Sequence, residues 1–87
     1  MKDIKKLFAN YQAAEAACDE AEAAMVELDT DEAEAAFDAA YKAVGEAAQA
    51  FAEAVESFTR GMVDAKTARR MLIIKREQLE SLIARVA

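Results

Sequence analysis

The sequence contains no histidine, tryptophan or proline, a single cysteine (Cys18) and only two glycines, Gly45 and Gly61. Each absence closes off a chemistry. Structural zinc sites draw on cysteine and histidine, and one cysteine cannot build the usual one. Di-iron bundles use Glu-x-x-His pairs, and the Ser-His-Asp nucleophile set cannot exist without histidine. One cysteine also rules out an internal disulfide and fits a reducing compartment. Two isolated glycines make no phosphate-cradling loop. The stretch "DTDEAE" from Asp29 alternates carboxylates, but it lacks the glycine and the closing glutamate of a calcium loop. It reads as a helix cap. With no catalytic set, no metal ligands and no cofactor motif, the expectation is a protein that is not an enzyme.

Long apolar runs are missing too. No segment approaches the length of a membrane span. The opening "MKDIKKLFANYQAAEAA" mixes charges with apolar residues and lacks the unbroken apolar core of a signal peptide. A cytoplasmic location is the expectation. The apolar fraction is 55% over 87 residues, yet 23 of those residues are alanine, which buries little surface. One small domain with a thin core follows, a size at which a partner or a second copy adds needed burial.

What remains is a composition of strong helix formers with almost no breakers, which predicts an all-α fold. Apolar residues fall at Ile4, Leu7, Tyr11, Ala14, Cys18, Ala21, Met25 and Leu28, in steps of three and four. That is the seam of a helix packed on another helix. A second seam runs through Phe37, Tyr41, Val44, Ala48, Phe51, Val55, Phe58 and Met62. The phase breaks near residue 30, at "LDTDE", where Asp29 or Thr30 can act as N-cap. Asp31 and Glu32 suit the positive end of the next helix dipole. A turn there predicts an antiparallel, coiled-coil-like hairpin in which Tyr11 meets Phe51, Ala14 meets Ala48 and Cys18 meets Val44. Tyr11 and Tyr41 then rest in the seam with hydroxyls reaching water, and Cys18 is a small core side chain.

Alanines at 36, 40, 43, 47, 50 and 54 flank the second seam and leave room for a third helix. Gly61 is placed to end the second helix in the left-handed C′ position, and Asp64 to cap a third. That helix gathers Ala65, Ala68, Leu72, Leu79, Leu82, Ile83 and Val86 on one face, with Met71 at its margin. Gly45 is expected to let a neighbouring helix come close. The predicted architecture is an antiparallel three-helix bundle, with helices over 2–28, 31–60 and 64–86.

Charge is divided unevenly. Residues 1–59 carry 14 acidic and 4 basic side chains, whereas residues 60–87 carry 3 acidic and 7 basic. The basic residues crowd the start of the third helix, where they oppose its dipole, so attraction to acidic neighbours, Asp3, Glu53 and Glu56 in the same bundle or the acidic face of a second chain, is the simplest reason for them. Nucleic acid is a poor partner, since the carboxylates elsewhere repel phosphate. Within that basic segment stand Ile73 and Ile74, the latter on the side of the helix opposite Leu72. Arg69, Arg70, Ile73, Ile74 and Arg76 are therefore the candidate contact surface of a small protein–protein interaction module that self-associates as a homodimer. The other class of reading starts from the acidic hairpin. Glu15, Asp19 and Glu22 form an outward stripe, and such a rod could act as a decoy in a basic, nucleic-acid-binding groove, as some anti-CRISPR inhibitors encoded by phages do.

Overall fold

The structure, a computed structural model, describes residues 4–74 and 76–86. The expected core places of Leu82 and Val86, and those of Asp3 and Lys75 in the charge pattern, lie outside the described residues and side chains. All regular structure among the described residues is helical, in the order α1 (Ile4–Leu28), α2 (Asp31–Phe58), α3 (Ala65–Ile73) and α4 (Arg76–Val86). The long helices α1 and α2 pack together, and α3 packs on α2. The molecule measures 45 × 21 × 19 Å, and its length is close to the roughly 42 Å of a 28-residue helix. Among the described residues, no helix is long and apolar enough to cross a membrane.

Local chemistry sets the boundaries. Asp29 stops α1 in the left-handed region, at φ 47°. Aspartate tolerates that conformation because its short polar side chain finds partners nearby. Thr30 is extended, and its hydroxyl accepts from the Ala33 N–H at 3.1 Å, capping α2. The α2 C-terminus closes as a Schellman turn. The Gly61 N–H donates to Glu56 C=O (2.9 Å) and the Arg60 N–H to Ser57 C=O (3.2 Å). The expected C′ glycine is displaced by one residue: Arg60 occupies that position at φ 55°, and Gly61 follows at φ 84°. The Thr59 hydroxyl locks the turn, donating to Val55 C=O (2.9 Å) and accepting from the Val63 N–H (3.1 Å). Asp64 then caps α3, its carboxylate accepting from the Thr67 N–H at 2.7 Å.

One core cluster joins all four helices: Phe8, Tyr11, Ala48, Phe51, Ala52, Val55, Ala68, Leu72, Leu79 and Ile83. Ile4, Leu7, Val44 and Met71 pack against it. Phe51 has no exposed surface and sets its ring 5.7 Å from that of Phe8. Burying a side chain of this size is worth roughly 3 kcal/mol.

Several expectations need correction. The third helix is not continuous over 64–86, because it breaks at Ile74 and resumes at Arg76. Phe8 and Ala52, on neither predicted seam, are buried. Tyr41 and Phe58, both assigned to a seam, are exposed. The flanking alanine stripe is covered unevenly: Ala54 is buried, Ala40, Ala47 and Ala50 are half-buried, and Ala36 and Ala43 are open to solvent. Gly45 does not admit a close neighbour within the chain, since a Cβ built there meets nothing within 4 Å.

Candidate interaction surface

α4 is held to α1 by a polar network. The Arg76 guanidinium donates to Glu15 Oε1 at 2.7 Å, and the Tyr11 hydroxyl donates to Glu15 Oε2 at 3.0 Å. Arg76 also stands 3.6 Å from Glu80, one turn along its own helix. Tyr11 is buried, and its hydroxyl donates to the partly exposed Glu15 carboxylate. Burial first, then the hydrogen bond to Glu15 and that carboxylate's charge, raise the Tyr11 phenol above its ordinary value. The hydrogen bond to Glu15 is the main reason that the Arg76 guanidinium holds its proton more firmly than usual. Glu15 is thus half-buried and paired rather than part of a solvated stripe, whereas Asp19 and Glu22 are exposed. Cys18 is buried below them, and burial followed by the carboxylates of Asp19, Glu22 and Glu15 pushes its thiol up, away from reactivity.

α3 is fastened to α2 along the face that carries Gln49, Ala52 and Glu56. Arg69 donates to Gln49 Oε1 at 3.0 Å, and Gln49 in turn donates to Glu53 at 3.1 Å. The Glu56 carboxylate accepts from the Ala65 N–H at 2.7 Å, placing a negative charge at the positive end of α3. Of the acidic neighbours expected to attract basic side chains, Glu56 serves the backbone instead. The Asp64 carboxyl is held below its usual range by the Thr67 N–H, the nearby Lys66 and Arg70 adding to the effect.

These attachments leave three groups of apolar side chains in water, one of them Phe58 and Met62 at the end of α2 and the turn after it. A second lies where α3 ends: Ile73 is 79% exposed and Ile74 74%. Beside them runs an open groove of about 380 Å³ lined by Thr67, Arg70, Met71, Ile74 and Gln78. Of the five residues proposed from sequence as a contact surface, Arg70 and Ile74 line this groove, while Ile73 is exposed without lining it. Arg69 and Arg76 are directed to partners within the chain. The third group was missed from sequence and lies toward the α1–α2 turn, where Val26 is 75% exposed, Leu28 61% and Tyr41 67%. The Tyr41 ring leans on Phe37, centroid to centroid 6.1 Å. The exposed carboxylates Glu22, Glu27, Asp31, Glu34 and Asp38 belong to the same end of the molecule.

No known protein family, curated protein or solved structure matches the chain.

Proposed function

We propose that this protein is a non-enzymatic interaction module that self-associates as a homodimer through the elbow between α3 and α4. Its scaffold in this reading is an antiparallel hairpin of α1 and α2, with α3 and α4 as a third, broken layer. The two-residue link at Asp29–Thr30 and the packing of Phe8, early in α1, on Phe51, late in α2, support the hairpin. The observation that carries the functional reading is the pair Ile73–Ile74, two adjacent large apolar side chains in water, of which Ile74 lines a groove together with Arg70. Exposed apolar surface rimmed by charge is the usual mark of a contact site. The opposite signs of the two parts of the chain give a second copy something to recognise.

Sedimentation velocity at tens of micromolar tests this. The wild-type chain should sediment as a dimer, and Ile74→Asp as a monomer with unchanged helix content. An Ile74→Asp variant that sediments like wild type removes the elbow from the contact. A wild-type chain that stays monomeric and binds a basic partner in a salt-sensitive way would move the reading to the decoy.

A further inference from the structure

The hairpin face that α3 and α4 cover does not end where they do. On α1, Tyr11 and Glu15 mark the covered side, and Glu22 and Val26 continue the same stripe at helical spacing. On α2, the buried Ala52 marks the side on which α3 lies, and Gly45 and Tyr41 continue its stripe, with Asp38 beside it. The break at Ile74 leaves this half of the face bare. Val26 and Tyr41 stand in water there, and the position a Gly45 Cβ would take opens onto empty space. The molecule therefore has the shape of a step, thick where α3 and α4 lie and thin toward the α1–α2 turn.

We propose that the bare half of this face is the docking site for the elbow of a second copy, and that the contact is reciprocal. Two steps placed antiparallel about a twofold axis interlock, the thick half of each filling the thin half of the other. Both halves of the interface are then satisfied in one closed dimer, as an isologous contact requires. Tyr41 of one protomer enters the groove beside Ile74, where Arg70 can lie over its ring and the Met71 sulfur along its edge. Ile73 and Ile74 cover Val26 and the gap at Gly45. The charges agree: Glu22 and Asp38 border the bare face, and Arg70 lines the groove at the elbow with Lys66 one turn before it on α3. Lys42 is the one basic side chain on α2, and it sits at the edge of this face rather than on the Tyr41 stripe. The pairing in trans repeats the one in cis, where Glu15 of the same α1 stripe already takes Arg76 from the elbow at 2.7 Å.

This inference rests on self-association through the elbow, and charge exchange separates the two claims. One variant reverses the elbow (Lys66→Glu with Arg70→Glu), and the other reverses the bare face (Glu22→Lys with Asp38→Lys). Each alone should lose dimer by about tenfold or more in apparent Kd, since like charges then meet. An equimolar mixture should recover a heterodimer, because both of its contacts pair opposite signs. If the face-reversed variant dimerises like wild type, the docking site is wrong while the elbow remains a contact. Two monomeric variants whose mixture stays monomeric also overturn the docking. A wild-type chain that is monomeric throughout removes both claims. Tyr41→Ser, at an exposed position whose ring touches Phe37 on its own helix and lies outside the core cluster, provides the check if a reversed chain misfolds: it should weaken the dimer with the circular dichroism unchanged, and wild-type dimerisation would contradict the proposal.

Discussion

At the level of single residues, the most telling side chain is Glu15. It looked outward from sequence because it shares a helical stripe with Asp19 and Glu22, and nothing in one helix reveals that a residue more than sixty positions away reaches it. The local half of its environment was legible, since Tyr11 lies one turn earlier and a phenol at that spacing can donate to a carboxylate. Phe8 escaped because the apolar row it makes with Ile4 and Tyr11 is interrupted by Gln12 and Glu15, and it is buried in the shared core with its ring against Phe51. The Arg76–Glu15 pair is partly exposed on both sides, so its net worth is about 0.5–1 kcal/mol. A double-mutant cycle with Glu15→Gln and Arg76→Gln, read by urea unfolding, should return a coupling of that size, falling in 1 M salt. A coupling of zero at low salt would show that α4 is held by Leu79 and Ile83 alone.

At the level of elements, caps and boundaries were the most legible part of the chain. Thr30 and Asp64 were both named as available caps, and each accepts the N–H three residues on, the short-range geometry that serine, threonine and aspartate favour. The buried half of the α2 seam, at Ala48, Phe51 and Val55, was legible from spacing. Its turn end was not, because Tyr41 matches the period yet nothing covers it. The break at Ile74 was illegible for a different reason. There is no proline or glycine, and Leu72, Leu79 and Ile83 would share one face of an unbroken helix. The adjacent β-branched residues Ile73 and Ile74 lower helix propensity only slightly. Gly45 is where element and assembly separate. Gly45→Ala fills open space in mid-helix and should stabilise the fold by about 0.5–1 kcal/mol, read as a higher midpoint in urea at concentrations that keep the chain monomeric. The same change should weaken the dimer. A variant that raises both stability and dimer affinity would mean that no partner approaches that face.

For the whole molecule, the uneven charge and the uneven thickness point the same way. The acidic part of the chain carries the bare face and the basic part carries the elbow, so the proposed dimer would use between copies the charge pattern that Arg76 and Glu15 use within one. Fold class and the packing of two long helices followed from composition and periodicity, and the step did not, because it depends on where the third layer stops. The interlocked dimer makes one direct demand, that the elbow isoleucines of one protomer touch the tyrosine of the other. An isotope-filtered NOE experiment on a mixture of 13C-labelled and unlabelled chains reads this contact alone. Cross-peaks between Ile73 or Ile74 methyls of labelled protomers and the Tyr41 ring of unlabelled ones are the predicted result. A dimer whose intermolecular peaks join isoleucine to isoleucine, with none to Tyr41, would contradict it.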